Sequence, residues 1–240
     1  MTRWFLCLVL LAASAPAAEK QLFNGKGLDG WKIMPRHENA VDDGRIGFIV
    51  ENGVLRTAPA LEQDLWYTRE KIGNAILRVV YKVSGNVANS GVFIRIPVEP
   101  KSEDDAINKG IEVQIDETGD DWHCTGVLYS MTQAKARPYK PVGEWNTMDI
   151  TMDGPRTVVT LNGALVTDYD GVSPVPPKIQ QYEPDRGPRP DTGYIAIQRH
   201  DDRQTSGRPR RCMRRGTRWP RPPRSDARAY RTVAGESESR

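Results

Sequence analysis

Apolar and polar residues alternate along several short segments of this chain, which is the pattern of half-buried β-strands. The clearest case is residues 110–116, Gly-Ile-Glu-Val-Gln-Ile-Asp, where the alternation has no break. Because successive side chains of a strand point to opposite faces, the three apolar residues are expected in a core. Glu112, Gln114 and Asp116 are expected on one exposed face, with about 7 Å between alternate residues.

Short strands separated by turn residues fill residues 20 to 202, and no convincing amphipathic helix interrupts them. Asn-Gly and Asp-Gly pairs at 52–53, 153–154 and 162–163 predict hairpin turns. Residues 98–109 are expected to form a charged loop, and the proline-rich residues 171–191 an ordered or semi-rigid cover. Strands are predicted over residues 47–55, 64–68, 75–83, 91–97, 110–116, 126–130, 145–152, 157–161 and 192–200. About nine or ten strands with long loops indicate a two-sheet sandwich.

The first 18 residues predict export. Arg3 precedes an apolar run over residues 4–13, and small residues at 15–18 suit cleavage after Ala17 or Ala18. This run is too short to span a bilayer, and no other segment is expected to cross a membrane. We therefore expect a soluble exported protein, periplasmic or extracellular. The mature chain has two cysteines, Cys124 and Cys212, which support neither a disulfide framework nor a metal site.

Charge is unevenly distributed along the chain. Residues 203–240 contain 12 Arg, no Lys and 3 acidic residues, a net charge of +9. The remaining residues carry 22 basic and 28 acidic side chains, a net charge of −6. The basic tail has no helical or strand period, so we expect it to be disordered. It is either an arm that binds nucleic acid or anionic glycans, or a frameshift product, and the second interpretation is favoured. No nucleic-acid partner is therefore expected.

Six motifs, in order over residues 21–201, resemble the 3-keto-disaccharide hydrolase domain family. They are residues 22–31 (LFNGKGLDGW), 89–95 (NSGVFIR), 112–116 (EVQID), 125–129 (TGVLY), 143–146 (GEWN) with 161–163 (LNG), and 193–200 (GYIAIQRH). The resemblance implies an all-β concanavalin A-like jelly-roll sandwich of two antiparallel sheets, whose concave sheet binds carbohydrate. The jelly-roll domain is expected to occupy residues 19–202.

The resemblance also implies one more closing strand after residue 200, and its pattern is absent here. The arginine-rich tail stands in its place, which supports the frameshift interpretation. Losing a buried strand removes several kcal/mol from a stability margin of about 5–15 kcal/mol and exposes a sheet edge. An inactive, truncated family member is therefore one alternative for this chain.

The phases of three predicted strands place charged residues on one face. Val92, Ile94 and Ile96 are expected in the core, which puts Arg95 on the face of Glu112 and Asp116. The same alternation puts Gln198 and His200 on that face. An arginine beside two carboxylates is charge-compensated. The set is either a salt-bridge network that fixes sheet register or a binding site, and the cost of burying charge favours binding.

Two mechanisms fit these residues. In the first, Glu112 and Asp116 are the acid and the nucleophile of a retaining glycosidase. In the second, a ketone at C3 of the sugar acidifies the C2 proton, a base removes it, the C1 substituent leaves and water adds. Glu112 or His200 would then be the base and Arg95 the enolate stabiliser. Asp116 would orient a partner or, with Glu112 and His200, hold a divalent cation. The resemblance favours the second mechanism.

Further residues are candidates for binding the sugar. The aromatic rings of Tyr129, Trp122 and Trp145 offer stacking surfaces. Hydrogen bonds to sugar hydroxyls are expected from Asn89, Ser90, Gln114 and Gln198. A non-catalytic carbohydrate-binding module of the same fold would use the same residues and is the second alternative. No glycine-rich phosphate loop is present, so nucleotide binding is not indicated.

Overall fold

The computed structural model describes residues 19–39, 44–58, 63–84 and 88–200, together with the backbone of residues 230–232. These residues form β1 (Lys20–Gln21), β2 (Trp31–Pro35), β3 (Phe48–Glu51), β4 (Val54–Thr57), β5 (Gln63–Tyr67), β6 (Ala75–Tyr81), β7 (Asn89–Ile96), α1 (Glu103–Lys109), β8 (Ile111–Asp116), β9 (Asn146–Asp153), β10 (Arg156–Leu161), β11 (Ala164–Tyr169), β12 (Tyr194–Ile197) and β13 (Tyr230–Thr232).

Most strands belong to two sheets packed face to face. One sheet has the order β1-β13-β6-β9-β10-β11, the other β2-β5-β12-β7-β8, and β3 and β4 form a separate hairpin. The main core lies between the sheets and is built from alternate apolar residues, for example Leu65, Val92 and Val113 facing Leu77 and Ile150. The prediction of an all-β, jelly-roll type sandwich is confirmed.

A second, smaller apolar cluster lies on the other side of the five-stranded sheet. Its buried members are Met34, Trp66, Phe93, Ile96, Ala106 and Ala196. Ala106 comes from α1, so this helix packs over part of the sheet face that points away from the main core.

Helix α1 corrects the prediction that residues 98–109 form only a charged loop. Three acidic residues occupy its first turn and Lys109 its last, which suits the helix dipole. Lys109 also pairs with Asp105 four residues earlier. The helix has only seven residues, of which Glu103 and Ala106 are buried. So short an element shows too little apolar periodicity to be recognised in the sequence.

The predicted hairpins are confirmed, since β3 pairs with β4 and β10 pairs with both β9 and β11 in antiparallel register. Residues 126–130 are not a strand, which corrects another prediction. They form turns beside β8, where Val113 and Leu128 make an isolated bridge. Gly126 and Ser130 have positive φ angles of 87° and 53°, which break the extended conformation.

Three residues of the arginine-rich tail have regular structure. Tyr230–Thr232 form β13, which lies between β1 and β6 and runs parallel to both. The expectation of a tail without regular structure in place of a closing strand is therefore wrong for these residues. They give β6 a neighbour for backbone hydrogen bonds that an open edge would leave unpaired. The signal-peptide prediction and the rest of the tail prediction fall on residues 1–18 and 201–240, outside the described residues apart from β13.

Candidate functional site

The candidate site lies on the face of the five-stranded sheet that points away from the main core, hereafter the Glu112 face. The register of β7 and β8 places Glu112 opposite Phe93 and Gln114 opposite Gly91. On the other side of β7, Ala196 of β12 is opposite Phe93. Trp66 of β5 is in turn opposite Ala196. Cross-strand neighbours share a face, so these residues form the floor of one surface.

Glu112 and Gln114 are buried, with exposed fractions of 6% and 2%. The expectation of an exposed polar face is therefore wrong for these two residues. Helix α1 packs against both β7 and β8, and Ala106 joins the apolar cluster on this side of the sheet. The strand phase itself is as predicted, because Ile111, Val113 and Ile115 lie in the main core, on the opposite side of β8.

Two more acidic side chains are buried with Glu112. Asp64 of β5 is fully buried, and its Oδ1 accepts a hydrogen bond of 3.1 Å from the Arg199 backbone N–H. Glu103 of α1 accepts a hydrogen bond of 2.8 Å from the side-chain amide of Gln198. Oδ2 of Asp64 has no hydrogen-bond partner in the described part of the chain. Three carboxyl groups from a strand, a helix and another strand thus interact electrostatically.

Burial raises the pKa of two of these carboxyl groups. Burial, with a smaller contribution from the charge of Glu103, raises the pKa of Glu112 to about 8. Burial, and then the charges of Glu103 and Glu112, raise the pKa of Asp64 well above its usual range. At pH 7 the side chain of Glu112 is therefore protonated in most protein molecules, and it can donate that proton.

The position of the Glu112 carboxyl group depends on two neighbours. A Cβ atom placed on Gly91 would lie 2.5 Å from Oε1 of Glu112, so the carboxyl group fills space that only glycine leaves free. In the amide orientation that satisfies both groups, the Gln114 nitrogen donates to Oε1 at 2.9 Å. One oxygen of Glu112 thus accepts a hydrogen bond, which leaves the other to carry the proton.

Arg95 does not lie on the Glu112 face, which corrects the prediction for this residue. Between Tyr194 and Ala196 the register shifts, because β7 advances from Phe93 to Ile96 while β12 moves two residues. Arg95 has a φ of 58° within this bulge. The extra residue reverses the alternation and turns the side chain toward the six-stranded sheet.

The Arg95 guanidinium group connects the two sheets. It is 1% exposed and donates to the backbone oxygens of Gly154 at 2.7 Å, Arg156 at 3.1 Å and Pro190 at 3.0 Å. Gly154 lies in the turn between β9 and β10, and Arg156 is the first residue of β10. Arg95 is therefore a buried structural link and does not reach the position of an enolate stabiliser beside Glu112.

Two predicted site residues are engaged in local structure. Oδ1 of Asp116 accepts hydrogen bonds from the backbone of Thr118 and Gly119 and from the Thr118 hydroxyl, so it closes the turn after β8. Ser90 donates its hydroxyl to the Gln198 backbone oxygen at 2.7 Å and ties β7 to the end of β12.

The remaining predicted residues divide between the two sheets. The Trp145 ring lies 5.1 Å from the Lys82 ammonium group. Asn146 and Met148 of β9 have buried side chains. Because side chains alternate along a strand, Trp145 lies on the outer side of the six-stranded sheet, away from Glu112. Gln198 and Asn89 lie at the Glu112 face, beside Glu103 and Gln114 respectively. His200 is half-buried and directly follows Arg199, the residue bonded to Asp64.

Tyr129 borders the Glu112 face on the outer side of β8. Its backbone N–H donates to the Glu112 carbonyl oxygen at 3.0 Å, and the preceding Leu128 bridges Val113 in the main core. Tyr129 therefore lies directly beside Glu112. The His123 ring packs against Tyr129, with ring centroids 4.9 Å apart. Trp122 is half-buried in the same loop.

The predicted cation set of Glu112, Asp116 and His200 does not fit the structure. Oδ1 of Asp116 already accepts three hydrogen bonds in its own turn. Over the described ranges, no group of three or more His, Cys, Asp or Glu side chains is arranged to hold a metal ion.

Residues 18–207 match the model of the 3-keto-alpha-glucoside-1,2-lyase-like domain family. The chain belongs to this family. The resemblance inferred from six sequence motifs is thereby confirmed. The family match identifies the chain as a carbohydrate-active domain.

Solved structures show the same fold for this lyase-like domain. One candidate glycosyl hydrolase from Parabacteroides distasonis ATCC 8503 is 25% identical, with a TM-score of 0.59 over 76% of this chain and 92% of that chain. A second from the same organism is 22% identical, with a TM-score of 0.57 over 74% of this chain and 85% of that chain. No protein of curated function matches the sequence. Among its described residues, the lyase-like domain has no helix long and apolar enough to cross a membrane.

Sequence motifs do not identify three residues near the site of this lyase-like domain, Asp64, Glu103 and His123. Asp64 had a usable signal, because it alternates with Leu65 in the core and shares a phase with Trp66. Glu103 had none, since it lies on a helix that the sequence did not reveal. His123 lies in a loop with no motif around it, and only the folded chain shows that it packs on Tyr129.

The raised pKa of Glu112 predicts how stability depends on pH. The folded domain retains a proton that the unfolded chain releases, so the free energy of unfolding falls from about pH 5 to about pH 8 and then levels. We expect Glu112→Gln to remove this component, measured by urea unfolding across that range. Glu144→Gln changes an exposed carboxylate and should keep the wild-type profile. Parallel profiles for wild type and Glu112→Gln would contradict the assignment.

Proposed function

We propose that the chain is an exported enzyme that cleaves the glycosidic bonds of 3-keto-glycosides or 3-keto-disaccharides by elimination followed by hydration. One observation carries this proposal. Glu112 is a buried carboxylic acid with a pKa of about 8 on the Glu112 face of a domain in the 3-keto-alpha-glucoside-1,2-lyase-like family. A group that is protonated near neutral pH suits the delivery of a proton to a leaving oxygen.

Elimination needs less from the protein than direct hydrolysis, because the substrate activates itself. The C3 ketone acidifies the proton on C2. A base removes that proton, the electron pair forms the C1–C2 double bond, and the C1–O bond breaks. The leaving oxygen takes a proton from an acid, and water then adds across the double bond. The enzyme therefore supplies one base beside the C2 proton and one acid beside the leaving oxygen on C1.

Glu112 fits the acid role. Its Oε1 accepts a hydrogen bond from Gln114, which leaves Oε2 to hold the proton and donate it to the leaving oxygen. Gln198, Asn89 and Tyr129 border the same face and would bind sugar hydroxyls and the ring. The alternative of a retaining glycosidase is less well supported. Its nucleophile would be Asp116, whose Oδ1 closes the turn after β8.

Substrate preference tests the proposal. The full chain is incubated with a p-nitrophenyl 3-keto-glucoside and with the unoxidised p-nitrophenyl glucoside, and released p-nitrophenol is measured. We expect release from the keto substrate alone, accompanied by an unsaturated or hydrated 3-keto sugar. Equal release from both substrates would favour an ordinary glycosidase. Binding of the sugar without release would favour a carbohydrate-binding module.

Gly91→Ala is expected to lower kcat for the keto substrate by about 100-fold, because its methyl group would displace the Glu112 carboxyl group. The measurement is steady-state kinetics with a thermal melt to confirm folding. Gly27→Ala is the matched control, since a Cβ at Gly27 meets no atom within 4 Å. Unchanged kcat in Gly91→Ala would show that the carboxyl position does not matter for cleavage.

A further inference from the structure

We propose that His123 is the base that removes the C2 proton, and that Asp120 is the positioning residue that holds it. This inference rests on the proposed function and completes it, since a protonated Glu112 leaves the base unassigned. Nothing about His123 in the sequence distinguishes it from a surface histidine. Its place in the folded chain does.

His123 lies beside the Glu112 face. The Tyr129 backbone N–H donates to the Glu112 carbonyl oxygen at 3.0 Å, which places Tyr129 directly beside Glu112. The His123 ring packs on the Tyr129 ring at 4.9 Å with an interplanar angle of 60°. A sugar ring beside Tyr129 would therefore lie within reach of both the carboxyl group of Glu112 and the imidazole of His123.

Asp120 orients the imidazole ring. Nδ1 of His123 is 2.7 Å from Oδ1 of Asp120. In the neutral ring, a hydrogen on Nδ1 is donated to this carboxylate and Nε2 keeps a free electron pair that can act as the base. The same Oδ1 accepts the Trp122 backbone N–H at 2.9 Å, which fixes the carboxylate itself. The His123 side chain is 28% exposed, so the ring can meet a substrate.

The loop that carries the pair is anchored at several points. The Trp122 carbonyl oxygen accepts from the Ser130 N–H at 3.0 Å, and the Asp121 carbonyl oxygen from the Ala134 N–H at 2.8 Å. Arg137 donates to the Gly119 carbonyl oxygen at 2.8 Å and pairs with the Asp121 carboxylate. A base needs a fixed position relative to the proton it removes, and these bonds supply one.

The proton balance closes over both steps. Nε2 of His123 takes the C2 proton, the C1–C2 double bond forms, the C1–O bond breaks, and the leaving oxygen takes the proton of Glu112. His123 is then cationic and Glu112 anionic. In hydration, water adds its oxygen to C1 and loses a proton to Glu112, while His123, whose N–H exchanges with solvent, returns a proton to C2. Both groups regain their starting states, and no other reactant than water is needed.

The test separates the base from the acid. The substrate is 1,5-anhydro-3-keto-glucitol, which has no leaving group at C1, and exchange of its C2 hydrogen in D2O is followed by NMR. We expect wild type and Glu112→Gln to exchange rapidly, and His123→Gln to exchange about 10²–10⁴-fold more slowly. Asp120→Asn should slow exchange less and shift its pH midpoint, as expected for a positioning residue. Added imidazole should restore exchange in His123→Ala.

His37→Gln is the matched control. His37 also pairs through Nδ1 with a carboxylate, Asp104, at 2.8 Å, but its side chain is 61% exposed. Wild-type exchange in His123→Gln would overturn the inference while leaving keto-glycoside cleavage intact. Absence of both exchange and cleavage in the folded wild-type protein would instead overturn the proposed function. Equal losses in His37→Gln and His123→Gln would show a nonspecific effect and would also overturn the inference.

Discussion

Glu112→Gln is expected to lower kcat/KM for a 3-keto-glucoside by about 10²–10⁴-fold while the domain stays folded. The amide has the shape of the neutral carboxylic acid and can keep the hydrogen bond with Gln114, but it has no acidic proton to give to the leaving oxygen. Because Glu112 is protonated near neutral pH, the substitution removes no buried charge. The measurement is aglycone release together with a thermal melt.

The control for this prediction is Glu144→Gln, which changes an exposed carboxylate and should retain wild-type kinetics. A phenolate leaving group needs less protonation than an alcohol, so the loss in Glu112→Gln should be larger with a disaccharide. A raised KM with unchanged kcat would show that Glu112 only binds substrate, and would contradict its assignment as the acid.

Arg95→Met is expected to destabilise the domain by about 3–5 kcal/mol. The substitution removes the buried donors to three backbone oxygens, and a carbonyl left unpaired away from water costs about 1–3 kcal/mol. That loss is a large part of a typical stability of about 5–15 kcal/mol. Urea unfolding measures it. Arg95→Lys should rescue little, because a single ammonium group cannot replace a planar guanidinium that reaches several oxygens.

Arg56→Met is the control for Arg95, since Arg56 forms an exposed pair with Glu51 and such pairs contribute about 0–1 kcal/mol. The two roles considered for Arg95 give opposite results. A stable Arg95→Met variant that has lost kcat would restore the enolate-stabilising role. An unstable variant whose folded fraction still turns over substrate would confirm the structural link between the sheets.

Alternation predicted most of the sandwich because a two-residue period directly reports which side of a strand is buried. It placed Ile111, Val113 and Ile115 in the core and Glu112 on the opposite side, as the structure shows. Arg95 was misplaced because one inserted residue in β7 reverses the period, and no composition signal marks that bulge. Local sequence patterns carry no information on such register shifts.

The candidate site was predictable only in part, because it is assembled by contacts between distant segments. Glu112 and Gln198 follow from strand phase, whereas Glu103 depends on a short helix and His123 on a loop folding back over Tyr129. The burial that raises the pKa of Glu112 comes from packing that alternation does not report. β13 was missed for the same reason, since three residues of the tail show no strand period of their own.

Loss of the C2 hydrogen is the most direct test of cleavage by elimination. The wild-type chain is given a 3-keto-glucoside deuterated at C2 in ordinary water, and aglycone release and deuterium content are measured together against an enzyme-free sample. The account predicts a slower release than with the undeuterated substrate and products that have lost the label at C2. Release at an unchanged rate, with the deuterium fully retained in the sugar product, would contradict elimination and favour direct hydrolysis.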